Sequence, residues 1–118
     1  MKLPPKPNKL TFVGIDWDKT ICETSGYPDY VPTTLIEGTK EAMDEIVKLG
    51  LKIVVFTARP WSDLYLLKHL IKEFNLPVDQ IICGKPLLLC LVDDKNIEFN
   101  GRWDGVVDKV KALSLTNN

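Results

Sequence analysis

Apolar residues in this chain of 118 fall into blocks of two kinds, continuous runs and helical stripes. The runs are "LTFVGI" at 10–15, "LKIVVF" at 51–56, the short "QIIC" at 80–83 and "LLLCLV" at 87–92. Without a polar alternation such runs predict strands covered on both faces. Between them, "TKEAMDEIVKLG" at 39–50 puts Ala42, Met43, Ile46, Val47 and Leu49 on one helical face. Thr39 is its expected N-cap, and Gly50 suits the position just past its C-terminus. Ser62 reads as the cap of a second helix whose stripe is Leu64, Leu67, Leu70, Ile71 and Phe74. After the fourth run come "IEF", a turn at Asn100–Gly101, Trp103 as a core element, and a short helix around Val106–Leu113. Strands alternating with helices in this way predict an α/β fold: a doubly wound, mainly parallel, Rossmann-like sheet with helices on both faces.

Composition narrows the class without naming a function. Hydrophobic residues make up 45% and charged residues 26%, and one domain accommodates the length. Residues 1–9 read as a loose Pro/Lys-rich arm, residues 10–118 as a single domain, and residues 21–36 as an irregular loop over the strand ends. A net charge of −1, with no clustered basic stripe, gives no reason to expect nucleic acid as a partner. No apolar run approaches membrane-spanning length, and the opening has no apolar core of a signal peptide. Cys22, Cys83 and Cys90 are odd in number and lack metal-type spacing, so they read as buried free thiols of a cytoplasmic protein.

Ligands of such sheets bind beyond the carboxyl ends of the strands. There the chain concentrates its chemistry. The first run ends in Asp16 and Asp18, the second in Thr57 with Arg59 just after, the third near Lys85, and the fourth in Asp93 and Asp94. Each alone has a plain explanation, because Asp and Thr favour turns and caps. Together they are the groups that phosphoryl transfer requires. Clustered carboxylates make an oxygen site for Mg²⁺, while a lysine and a hydroxyl neutralise phosphoryl oxygens. One carboxylate then attacks phosphorus and another carries the leaving group's proton.

Those residues resemble the haloacid dehalogenase (HAD) superfamily in its phosphatase branch. "VGIDWDKT" matches the first motif, "VVFTAR" the second, "CGKP" the third and "CLVDDK" the fourth, in order across nearly the whole chain. The resemblance implies a HAD-like fold with Asp16 as the nucleophile that forms an aspartyl-phosphate. Asp18 would protonate the leaving oxygen and then activate water, and Thr57 and Lys85 would hold phosphate. It implies Mg²⁺ bound by Asp16, the Asp18 carbonyl and one of the acidic pair, with Asp94 the expected direct ligand and Asp93 orienting Lys85 or a water. Thr20 would brace the turn. Arg59 is a further candidate for the substrate phosphate, since a guanidinium matches its geometry. Trp17 is a candidate substrate contact whose plainer reading is a ring packed in the core. Lys19 stands where the family commonly has glycine. The intervals between the motifs leave no room for a cap domain, so the site is expected to be open. Tyr27, Asp29 and Tyr30 in the loop are the candidates for leaving-group recognition.

The expected activity is Mg²⁺-dependent hydrolysis of a small phosphorylated metabolite, such as a sugar phosphate. A macromolecular substrate (a nucleic-acid 3′-phosphate or a phosphoprotein) and a non-catalytic phosphate- or partner-binding module are the alternatives. Homo-oligomerisation is left open. A response-regulator receiver domain uses similar residues, but there the acidic pair comes first, and here it comes last. His69, on the second helix, reads as a surface residue, and Trp61 as a residue at the mouth of the site or at a helix start.

Overall fold

The computed structural model describes Leu3, residues 11–23 and residues 34–115. The arm therefore lies almost wholly outside the described residues, as do Tyr27, Asp29 and Tyr30 of the loop. Three strands, β1 (Phe12–Ile15), β2 (Lys52–Phe56) and β3 (Gln80–Ile82), alternate with helices α1 (Thr39–Lys48), α2 (Leu64–Glu73) and α3 (Val106–Leu115). All pairings are parallel: Phe12 lies opposite Lys52, Ile15 opposite Val55, Val54 opposite Gln80 and Phe56 opposite Ile82. The order β1–β2–β3 runs one way, with no reversal among the described strands. This is a small α/β fold with a parallel sheet.

The sheet is driven into place from one side most strongly. Ile15, Ile53 and Val55 are buried, joined by Ala42, Met43 and Ile46 of α1 and Leu67 and Leu70 of α2. Phe12 and Phe56, on the intervening positions, remain exposed, so those strands are not covered on both faces. The expected stripe of α2 is therefore correct in phase, with Leu64, Ile71 and Phe74 half-buried around the core.

Two capping expectations change. The residue before α1 is Gly38, at φ 85°, a left-handed backbone that suits glycine, so Thr39 is already helical. Its hydroxyl instead accepts a hydrogen bond from Trp103 Nε1 at 2.8 Å and donates to the Ile21 carbonyl at 3.5 Å. Ser62 sits inside a single 3-10 turn, Trp61–Asp63, and caps nothing by its side chain. Gly50 follows α1 at φ 86°, as expected of that position.

The largest departure is 87–92. The run "LLLCLV" forms no strand; Leu87, Leu89 and Val92 are almost fully exposed, and Cys90, expected to be buried, is exposed as well. "IEF" forms none either, although Ile97 and Phe99 pack against the core. Apolarity specifies burial but supplies no ladder, and a strand exists only where a partner edge takes its hydrogen bonds. The other two thiols, Cys22 and Cys83, are buried as expected.

Candidate active site at the strand ends

The parallel register brings Asp16, Thr57 and Cys83 to the same edge, one residue beyond the three strands. Main-chain bonds tie the loops there together: Lys85 N–H donates to the Thr57 carbonyl at 2.9 Å, and Gly84 N–H to the Arg59 carbonyl at 2.8 Å. Gly84, at φ 76°, makes the reversal that lets the lysine turn back over the sheet. As a result Lys85 Nζ stands 3.2 Å from Asp16 Oδ1 and 5.6 Å from the centre of the Phe56 ring. The exposed face of Phe56 thus serves as a platform for the ammonium.

After Asp16 the backbone curls tightly. Trp17 N–H donates to Asp16 Oδ1 at 2.9 Å, which fixes the carboxylate from the other side. The Trp17 carbonyl receives the N–H groups of Thr20, Ile21 and Cys22, and Lys19 adopts φ 61° to close the turn. A left-handed backbone at a lysine costs about 1–2 kcal/mol, offset here by the packing of Ile21 and Cys22 directly after it. The base of the 21–36 loop belongs to this framework: Ile36 N–H donates to the Ile21 carbonyl at 2.9 Å, and Cys22 bridges Leu35.

Trp17 itself is completely buried, so the substrate contact is ruled out for this side chain and the packing reading is correct. Its Nε1 finds no hydrogen-bond partner among the described residues. Cys22, in the same layer, has its thiol pushed up to about 12 by burial, with the Asp18 carboxylate adding and the Arg59 guanidinium opposing.

The second aspartate points elsewhere. Arg59 Nε donates to Asp18 Oδ2 at 3.0 Å and its NH2 to Asp18 Oδ1 at 2.8 Å, a two-pronged ion pair. Its NH1 also reaches Asp63 Oδ2 at 3.4 Å. The guanidinium is held above its ordinary range, first by the hydrogen bond to Asp18, against the cost of burial. Only 4% of the Arg59 side chain is exposed, so it faces carboxylates rather than an incoming phosphate. Thr57 is wholly buried, and its hydroxyl accepts from Arg59 N–H at 3.1 Å. Asp63 is the member that sequence reasoning missed. Its only signal was a spacing of four from Arg59 across the 3-10 turn.

Asp16, Thr20, Lys85 and Asp94 line a single open cavity of about 860 Å³, with β1 on one side and α3 on another. Asp94, however, is exposed and pairs with Lys95 Nζ at 3.0 Å, and Asp93 Oδ1 accepts from Lys95 N–H at 3.2 Å. The Lys95 hydrogen bond holds the Asp94 carboxyl below its usual range. Among the described residues no three carboxylate, imidazole or thiolate groups lie close enough to hold a metal ion. Of the magnesium ligands expected, Asp16 and Asp94 line the same cavity, while Asp93 is held by the Lys95 main chain. Residues 87–92, which precede the acidic pair, form no strand, although Leu91 and Asp94 line the cavity that β1 borders. Trp61 is exposed over Gly84, at the rim of the strand ends, and His69 is a surface residue beside Glu73.

No helix among the described residues is long and apolar enough to cross a membrane. No family model matches the chain, and no curated protein matches it. Among solved structures, the chain is similar to the crystal structure of an MCSG target from Vibrio cholerae, with a TM-score of 0.69 over 91% of this chain and 98% of that one. At 20% identity the likeness is one of fold.

Proposed function

We propose that this chain is a phosphomonoester hydrolase of HAD type that works through an aspartyl-phosphate on Asp16. The observation that carries this reading is the Lys85 ammonium at 3.2 Å from the Asp16 carboxylate, at a strand end facing an open cavity. A phosphoryl group seated there meets a nucleophile and the cation that neutralises its oxygens. Oδ1 is held by Lys85 and by Trp17 N–H, which directs attack through Oδ2. As Oδ2 bonds to phosphorus, the ester P–O bond breaks and its electron pair passes to the leaving oxygen, which takes the proton that Asp18 carries at the start of the cycle. Water then attacks phosphorus and gives a proton to the Asp18 carboxylate, and the bond to Asp16 breaks to restore its carboxylate and release phosphate. Thr57 acts by fixing the 57–59 loop rather than by touching phosphate.

The finer fold that accompanies this proposal is a doubly wound, capless HAD-like sheet. Similarity of fold to the Vibrio cholerae protein is compatible with it. The proposed cofactor is Mg²⁺, which Asp16, the Asp18 carbonyl and one of Asp93 and Asp94 would hold and which would supply positive charge to the phosphoryl oxygens. Small phosphorylated metabolites, sugar phosphates among them, are the proposed substrates, since a cavity of about 860 Å³ suits a drug-sized or smaller ligand.

The test is phosphate release from a panel of sugar phosphates, aryl phosphates, a phosphopeptide and a 3′-phosphorylated oligonucleotide, each with and without Mg²⁺. Wild-type protein is expected to release phosphate from the small esters, and Asp16→Asn to lose this by at least ~100-fold. Retained turnover in that variant, or no Asp16-dependent release from any ester, refutes the proposal.

A further inference from the structure

The sequence suggests Arg59 as a phosphate ligand, yet its guanidinium is spent on two carboxylates of its own chain. We infer that Arg59 is the positioning residue of Asp18, buttressed by Asp63, and not a ligand of the substrate phosphate. This rests on the phosphatase reading and specifies how its proton carrier is held.

Three features of the geometry argue for it. The contact to Asp18 is bidentate, with Nε on one oxygen and NH2 on the other, and so fixes both the position and the plane of the carboxylate. Arg59 is itself immobilised. Its NH1 reaches Asp63, its N–H donates to Thr57 Oγ1, and its carbonyl accepts from Gly84 N–H, so the same residue joins the loops after β2 and β3. Finally, the exposure is unequal: 4% of the Arg59 side chain is accessible against 21% of the Asp18 side chain. The carboxylate is thus the face that the pair shows to solvent, and the guanidinium its support.

A group that orients a proton carrier has a kinetic signature that a phosphate ligand lacks. Loss of a phosphate ligand weakens substrate binding for every ester, which raises KM. Loss of a positioning residue lowers kcat, most for leaving groups that need a proton. Alkyl phosphates need one and p-nitrophenyl phosphate does not. General acid assistance is worth about 10²–10⁴-fold, and that is the range available to be lost.

The experiment compares wild type, Arg59→Lys and Asp63→Asn on an alkyl phosphate and on p-nitrophenyl phosphate. It also follows the Arg59 Nε–H resonance by ¹H–¹⁵N NMR. Lysine keeps the charge but cannot grip both oxygens. For Arg59→Lys, kcat on the alkyl ester is expected to fall ~100-fold with KM held, and much less on the aryl ester. Asp63→Asn, which leaves the bidentate contact in place, is expected to show a smaller loss of the same kind. The Nε–H resonance should shift in Asp18→Asn, persist in Asp63→Asn, and stay put when inorganic phosphate is added to wild type. A rise in KM with kcat retained, a phosphate-induced shift of Nε–H, or equal losses on both esters in the single-turnover phosphorylation step overturns the inference. Should Arg59→Lys fail to fold, the Asp63→Asn kinetics and the wild-type phosphate titration still decide. If wild type shows no Asp16-dependent release, the phosphatase reading fails, whereas the resonance of the Asp18 partner still reports the ion pair.

Discussion

At the residue scale, Trp17 shows how a side chain between the two aspartates of the candidate site is itself a core residue. Its ring is fully buried while its Nε1 has no partner among the described residues. A buried unmade hydrogen bond costs about 1–3 kcal/mol, so the indole carries a penalty that a phenyl ring would not. Trp17→Phe is therefore expected to stay within ~1 kcal/mol of wild type, because relief of the penalty offsets the smaller ring, whereas Trp17→Ala should lose about 3–5 kcal/mol. Urea denaturation checks this; a phenylalanine variant as unstable as the alanine one shows that Nε1 is satisfied. The neighbouring Cys22 makes stability depend on alkaline pH. Its thiol is neutral up to about 12 in the folded chain, but an unfolded thiol loses its proton near 9.0. Between those limits the unfolded state binds fewer protons, so stability falls as pH rises, by at most about 1.4 kcal/mol per pH unit from this group. Denaturation midpoints measured at pH 8, 9.5 and 10.5 should decline more steeply in wild type than in Cys22→Ala. Parallel curves would remove Cys22 as the cause.

At the scale of elements, α1 is held at its start by contacts that come from far along the chain. The Thr39 hydroxyl joins the first turn of α1 to the Trp103 indole and to the Ile21 carbonyl. The Trp103 ring also packs over Gly38 and beside Phe99, whose centroid is 5.0 Å away. Replacing Thr39 by valine leaves the shape and deletes the acceptor, so a buried indole N–H is stranded at a cost of about 1–3 kcal/mol. Thr39→Ser should retain most of the stability. Thermal melts of the two variants distinguish this role from N-capping, in which valine and serine would differ without any change in the near-ultraviolet signal of Trp103. The elements themselves were legible wherever pattern and pairing agreed. β1, β2, β3, α1 and α2 lie within a residue or two of the positions that periodicity predicts. Residues 87–92 were misread because six apolar residues in a row look the same whether or not an edge exists to receive them. Thr39 was misread because its side chain serves a partner 64 positions away, which no local window contains.

Over the whole molecule, the candidate site was legible as a set of residues and only partly as a set of contacts. Order along the chain predicted that Asp16, Thr57 and Lys85 meet, and the parallel register brings them to one edge. It could not predict who pairs with whom. Arg59 and Asp18 are 41 positions apart, and their pairing depends on how the 16–22 turn faces the loop after β2. Asp93 and Asp94 illustrate another case, in which the motif is intact but the segment that carries it pairs with no strand.

The Arg59–Asp18 pair also bears on how such a site can change over generations. Removing one partner of a largely buried ion pair strands the other's charge and costs about 3–5 kcal/mol, a large share of the stability of a small domain. A lineage that no longer needed Asp18 for chemistry would still be penalised for losing it while Arg59 remained. Loss of Asp18 would leave Arg59 paired with Asp63, so a change at Asp18 is best tolerated alongside one at Arg59. The acidic pair at 93–94, exposed and paired with Lys95, has no such buried anchor among the described residues and is the less constrained of the two.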